Sequence, residues 1–177
     1  MSKARKMYID VDGVLVVWDQ THNCAELARG FRRLMRFCKL HAIQPCWLTA
    51  WSKKPHHLEA LGRLLWPDAC PTMAVPQPVE YADGLKAAAI DYDSDFVWIE
   101  DGLGPDNAEI LRQHGALDRF FWSDGVDPDC LLKFMAFTRE KMNLPVIKDW
   151  GPAPDSLFAQ PRHPSTDPNW DGGTLPG

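Results

Sequence analysis

The segment Met7-Tyr8-Ile9-Asp10-Val11-Asp12-Gly13-Val14-Leu15 constrains this chain more than any other stretch. An apolar run ends on two aspartates at i and i+2, and a glycine follows at once. Inside a strand, such carboxylates would be strongly destabilising or would neutralise themselves by taking up protons. At the carboxyl tip of a buried parallel strand the penalty disappears, because that edge is where open α/β sheets bind ligands. Two carboxylates about 4 Å apart repel by roughly 4 kcal/mol at an effective dielectric of about 20. A divalent cation reverses the sign of that interaction, and Mg²⁺ is the usual choice for carboxylate oxygens beside a phosphate. Asp-x-Asp-Gly is also ordinary turn chemistry. Here, however, strand-like residues precede it, and none of the extra acidic ligands of a calcium loop follow. The segment reads as a metal–phosphate site at a strand end, with Asp10 free to act as a nucleophile.

The remainder of the chain decides what surrounds that strand end. Short apolar runs alternate with amphipathic stretches, which predicts a parallel sheet covered by helices. Strands are expected at Lys6 to Asp10, Gln44 to Leu48, Thr72 to Val75, Phe96 to Ile99 and Arg119 to Trp122. A helix is expected from Cys24 to Leu40, with Leu27, Phe31, Leu34, Met35 and Cys38 on one face and the basic Arg29, Arg32, Arg33, Arg36 and Lys39 on the other. Further helices are expected over Pro55 to Leu65, Ala82 to Ala89, Pro105 to His114 with Gly115 closing it, and Asp127 to Lys141. Asp91, Asp93 and Asp95, like Asp124, Asp127 and Asp129, read as turn and cap residues. Residues 1–145 therefore form one domain, and the Pro-rich 146–177 a tail that is either disordered or wrapped over it by Trp150, Leu157, Phe158 and Trp170.

Charge and cysteine usage narrow the function classes. A net charge of -5 argues against a whole-surface electrostatic grip on nucleic acid, leaving room only for a local basic patch. The five cysteines are odd in number and scattered, with no Cys-x-x-Cys pair or Cys/His zinc spacing, which fits reduced thiols in a cytoplasmic protein. The basic N-terminus is followed by no apolar signal core, and the apolar stretch at 13–18 is too short to span a membrane. Cytoplasmic location without membrane attachment is the expectation.

Three further stations accompany the first. The run Pro45-Cys46-Trp47-Leu48-Thr49 delivers a hydroxyl to a strand tip, where it can donate to a phosphate oxygen without adding negative charge. Lys86, among small apolar residues, offers a point charge able to neutralise a nucleophilic carboxylate and a transferring phosphate. Phe96-Val97-Trp98-Ile99-Glu100-Asp101-Gly102 repeats the opening design, an apolar strand tipped by two acids and a glycine. Two carboxylate-tipped strands with a hydroxyl tip between them are hard to explain as turn chemistry.

In order and approximate spacing, Asp10-Val11-Asp12-Gly13-Val14, Thr49, Lys86 and Glu100-Asp101 resemble the four motifs of the haloacid dehalogenase (HAD) superfamily over about Lys6 to Lys141. The pattern is also similar to small HAD domains grouped with those of RNA-repair proteins. The resemblance implies a three-layer Rossmann-like (HAD-like) α/β fold with a central parallel sheet. It implies that Asp10 attacks phosphorus and becomes an aspartyl-phosphate, and that Asp12 protonates the leaving oxygen and then activates water. Thr49 and Lys86 would hold the phosphoryl oxygens. The implied cofactor is Mg²⁺, held by Asp10, the backbone carbonyl of Asp12 and Asp101. Glu100 stands where Asp is more frequent and is expected to support the ligands from behind; Asp106 is an outer candidate for the same role, or simply a helix-start residue.

The intervals between these motifs leave no room for a sizeable cap domain. An open site suits a large substrate such as a polynucleotide end or a phosphoprotein, and also a small ester shielded by local loops. Trp18 and Trp51 follow the first two stations, so both are expected beside the site mouth. There an aromatic face can stack a nucleobase, an interaction of about 1–3 kcal/mol, although packing competes as their role. Lys53 and its neighbours Lys54, His56 and His57 offer either a second phosphate contact or the solvated start of a helix. The reading is a Mg²⁺-dependent phosphomonoesterase acting on nucleotides or nucleic-acid ends. A non-catalytic module that binds a phosphorylated partner and a phosphotransferase are the alternatives. Oligomeric state is not written in the sequence.

Overall fold

The computed structural model describes residues 3–19, 24–54, 56–59, 74–82 and 84–147. Within them the chain is an α/β fold built on five parallel strands in the order β5-β4-β1-β6-β7. The strands are β1 (Arg5–Ile9), β4 (Ile43–Trp47), β5 (Gln77–Pro78), β6 (Asp95–Glu100) and β7 (Phe120–Trp122). Strands β2 (Val16–Asp19) and β3 (Cys24–Leu27) form a separate antiparallel hairpin. The helices are α1 (Phe31–Leu40), α2 (Pro105–Gln113) and α3 (Cys130–Lys141).

Side-chain alternation along the strands sends residues to two faces, and each face has its own core. Met7, Ile9, Trp47, Val97 and Ile99 pack with Leu34, Met35 and Cys38 of α1 and Leu131 and Phe134 of α3. On the opposite face Tyr8, Cys46, Phe96 and Trp98 pack with Ala87 and with Leu111 of α2. This makes three layers, and among the described residues there is no large cap. No helix there is long and apolar enough to cross a membrane.

Strand β1 is central. From it the chain moves through α1 to β4 and β5 on one side, then returns to β6 and β7 on the other. Strand order therefore reverses at β1, and the crevice at the carboxyl ends of β1 and its neighbours is where such sheets bind ligands.

Several expected elements differ in detail. The helix expected from Cys24 begins only at Phe31, because Gly30 sits at φ +87 and residues 24–27 pair with β2 instead. The Ala28 N–H donates to the Leu15 carbonyl and ties the hairpin back to the loop after β1. Of the strand expected at Thr72 to Val75, residues 72 and 73 lie outside the described residues and 74 and 75 belong to no strand; the edge strand is β5 at Gln77–Pro78, where proline costs no ladder bond. The helix expected over Ala82 to Ala89 shrinks to a single 3-10 turn at Lys86–Ala89, since Gly84 has φ +74 and Leu85 is non-helical. Helix α3 starts three residues later than expected. Asp127 first closes a turn, its Oδ1 accepting from the Asp129 N–H at 3.0 Å. Of the helix expected at Pro55 to Leu65, residues 56–59 are helical and those after 59 lie outside the described residues, as does the tail beyond 147.

Candidate active site

Register brings the three chemical strand ends level. Ile9 pairs with Trp47 of β4 and with Ile99 of β6. The ladder then runs one step further: the Asp10 N–H donates to the Ile99 carbonyl at 3.1 Å, and the Leu48 N–H donates to the Ile9 carbonyl at 3.0 Å. Asp10, Thr49 and Glu100-Asp101 thus emerge side by side at the carboxyl edge.

Beyond Asp10 the chain turns sharply. The N–H groups of Leu15 and Val16 both donate to the Val11 carbonyl at 2.8 Å, and the Gly13 N–H donates to the Val16 carbonyl at 2.9 Å. Gly13 has φ +67, and a Cβ placed on it would lie 2.2 Å from Asp101 Oδ2 and 2.7 Å from Asp101 Cβ. The first acidic strand end is therefore seated directly against the second. Gly13→Ala is expected to cost about 1–2 kcal/mol from left-handed backbone strain alone. It should also displace the whole Asp101 side chain. Urea unfolding reads the first effect, and loss of any Mg²⁺-induced rise in Tm reads the second.

Asp10, Glu100 and Asp101 each offer a carboxylate oxygen within 4.8 Å of the others. Lys86 reaches into this group from its 3-10 turn, donating to Glu100 Oε1 at 2.5 Å. Its ammonium is also 3.2 Å from Asp10 Oδ1, at ion-pair distance but without hydrogen-bond alignment. The turn itself is clamped to α2 by Asn107, whose Oδ1 accepts from the Ala87 N–H and whose Nδ2 donates to the Gly84 carbonyl, both at 2.8 Å. Burial would lower the Lys86 pKa, but Asp10 and then Glu100 more than offset it and hold the ammonium above its usual range.

One cation does not balance this many carboxylates. Burial, and then the Asp10 charge, push Glu100 up from 4.5 to about 8 despite Lys86. Burial followed by Asp10 raises Asp101 as well. Burial raises Asp12, with the Trp51 N–H opposing it. Among the described residues Glu100 Oε2 is buried without a hydrogen-bond partner, and Asp10 Oδ1 has only its ion pair with Lys86, a rare condition for polar atoms in folded proteins. Three carboxylate oxygens within 4.8 Å of one another, with excess negative charge, could together hold a hard divalent cation.

A pH dependence follows. A carboxyl raised in the folded state binds its proton more tightly there than in the unfolded chain, so stability falls as pH rises from 4.5 through about 8. Metal-free protein is expected to show a higher Tm at pH 5 than at pH 8.5. Mg²⁺ should stabilise it chiefly at the higher pH, by about 2.7 kcal/mol at a hundredfold excess over Kd. Differential scanning calorimetry at the two pH values, with and without Mg²⁺, checks both.

The other expected site residues fall into place unequally. Thr49 is wholly buried and starts the 3-10 turn Ala50–Lys53, its Oγ1 accepting from the Trp51 N–H at 3.4 Å. Trp51 is only 3% exposed, so it offers no open stacking face. Its indole Nε1–H instead donates to Asp12 Oδ2 at 2.8 Å. Lys53 is exposed and lies over the Tyr81 ring, 5.2 Å from its centroid; Lys86 approaches the same ring at 6.0 Å. The backbone of Trp18 belongs to β2. Asp106 is exposed in the first turn of α2, and it is Asn107 beside it that grips the turn carrying Lys86.

Two contributors were not anticipated. Besides Asn107, Ser123 is buried just past β7, and its Oγ donates to the Gly13 carbonyl at 3.0 Å while its N–H donates to the Glu100 carbonyl at 2.8 Å. It braces both acidic turns together. Its signal was present in Phe121-Trp122-Ser123-Asp124-Gly125, a third apolar run ending in polar residues and a glycine.

These features define a five-stranded parallel α/β domain with an acidic, lysine-bearing crevice at the strand-order reversal. The chain matches no family model, no curated protein and no solved structure.

Proposed function

We propose that the chain is a small, capless HAD-type hydrolase, a Mg²⁺-dependent phosphomonoesterase acting through an aspartyl-phosphate on Asp10. The observation that carries this reading is the convergence of Asp10, Glu100 and Asp101 with the Lys86 ammonium at the carboxyl edge of β1 and β6. Its order along the chain is that of the HAD motifs. A bound Mg²⁺, held by Asp10, Asp101 and the Asp12 carbonyl, would supply charge neutralisation for the incoming phosphate.

The protein's own groups then divide the work. An Asp10 carboxylate oxygen forms a bond to phosphorus as the ester P–O bond breaks, and the leaving oxygen takes the proton carried by Asp12. Water next attacks the phosphorus of the aspartyl-phosphate and gives its proton to Asp12. The P–O bond to Asp10 breaks, releasing inorganic phosphate and restoring the carboxylate. Lys86, fixed by Glu100 and by the Asn107 clamp, holds positive charge against the phosphoryl oxygens throughout. Thr49 adds a hydroxyl from the neighbouring strand end.

Nucleotides and polynucleotide ends are the substrate class favoured here. Trp122 is 72% exposed and pairs in register with Glu100, so an open indole stands one strand away from the site. That face suits a base attached to the phosphate under attack. The test is a screen of phosphate esters with and without Mg²⁺, spanning sugar phosphates, mononucleotides and oligonucleotides phosphorylated at either end. Metal-dependent release of phosphate, fastest from nucleotide esters, is the expected result. Absence of turnover on every ester would overturn the hydrolase reading.

A further inference from the structure

Among the described residues, Trp51 is the one large side chain of the core that spends its only polar group on a site aspartate. It is buried in the apolar cluster beneath β1 and β4. Its backbone N–H is taken by Thr49 Oγ1, and the carbonyl of Trp51 accepts from the Lys54 N–H at 2.9 Å, so the residue is anchored at both ends of its peptide unit. The His57 ring meets the indole edge-on with centroids 5.5 Å apart. From this fixed seat the Nε1–H reaches Asp12 Oδ2 at 2.8 Å across 39 residues of sequence.

An indole N–H donates and never accepts. A carboxyl oxygen without a proton is the stronger acceptor, so the bond to Oδ2 constrains a proton on Asp12 toward Oδ1. From this constraint we infer that Trp51 is a positioning residue, selecting Oδ1 of Asp12 as the oxygen that delivers the proton to the leaving group and later collects one from water. The inference rests on the acid–base role proposed above for Asp12. It assigns to Trp51 a part beyond packing, because a core tryptophan needs some acceptor for its N–H but not a carboxylate at the tip of a neighbouring strand.

Substrates with different leaving groups separate this role from a structural one. A nitrophenolate departs without a proton, whereas an alkoxide needs one, so only alkyl esters depend on Asp12 in the step that kcat/KM reports. Trp51→Phe keeps the ring and removes the donor. It is expected to lower kcat/KM roughly 10- to 100-fold for an alkyl phosphate and by only a few-fold for 4-nitrophenyl phosphate, a fraction of the 10²–10⁴ that acid–base catalysis supplies. In metal-free protein, the indole N–H resonance that disappears in Trp51→Phe should shift on Asp12→Asn, a readout independent of turnover. An equal loss on both esters, or an indole resonance indifferent to Asp12→Asn, would overturn the assignment and leave the phosphatase reading standing. A wild-type protein inactive on all esters would remove both. If Trp51→Phe fails to fold, the assignment is judged on Trp51→Met, which also removes the donor and should show the same selective loss on the alkyl ester, an equal loss on both esters again overturning it.

Discussion

Asp10→Asn is expected to abolish metal-dependent phosphate release, by roughly four to six orders of magnitude, the scale of losing a covalent nucleophile. The amide is isosteric and keeps the strand-end hydrogen bond from the Asp10 N–H to the Ile99 carbonyl, so the backbone has no reason to move. What changes is chemistry: the amide oxygen is a poor nucleophile toward phosphorus. Stability should move the other way. Asp10 is 5% exposed beside Glu100 and Asp101; above about pH 8, where Glu100 is ionised as well, removing the Asp10 charge relieves repulsion in metal-free protein, and Lys86 keeps Glu100 as its partner. At that pH the variant should melt no lower than wild type without Mg²⁺ while gaining less from its addition. Phosphate-release assays and calorimetry on the same preparation test both halves. Activity surviving the substitution would sink the nucleophile assignment.

The second large effect is expected from Lys86→Met. The methionine fills the lysine's volume but leaves Glu100 and Asp10 facing each other without their cation. Breaking a buried ion pair by removing one partner costs about 3–5 kcal/mol. Here the side chains are 14%, 7% and 9% exposed for Lys86, Asp10 and Glu100, so solvent screens the vacated charges little. The loss should be smaller near pH 5, where Glu100 already holds its proton, than near pH 8.5. Turnover should fall at least a hundredfold, since a fixed charge aimed at the transferring group is typically worth that much. Urea titrations at the two pH values separate the stability effect from the catalytic one, and a pH-independent loss of stability would contradict this electrostatic account.

Reading from sequence succeeded where one residue class carries one signal. Apolar runs ending in Asp10-x-Asp12-Gly13 and Glu100-Asp101-Gly102 located two strand tips, and parallel pairing to a shared register then brought them together. Elements governed by backbone sign escaped. Gly30 and Gly84 each interrupt a stretch whose side-chain pattern suits a helix, and a positive φ leaves no trace in hydrophobic periodicity. Residues whose work is done by neutral hydrogen bonds escaped as well. Asn107 sits beside the more conspicuous Asp106, and Ser123 looks like any loop serine until the fold seats it under Gly13. Trp51 was legible as a neighbour of the first strand end but not in its orientation, because aromatic character says nothing about whether a ring faces water or the core.

The bond from Ser123 to Gly13 spans 110 residues. A chain growing on the ribosome would make both acidic motifs, the threonine and the lysine before the brace that seats them. Ser123 can lock the two acidic turns against each other only after β7 has been made, so the seating of this crevice belongs to the closing stage of synthesis of residues 3–147.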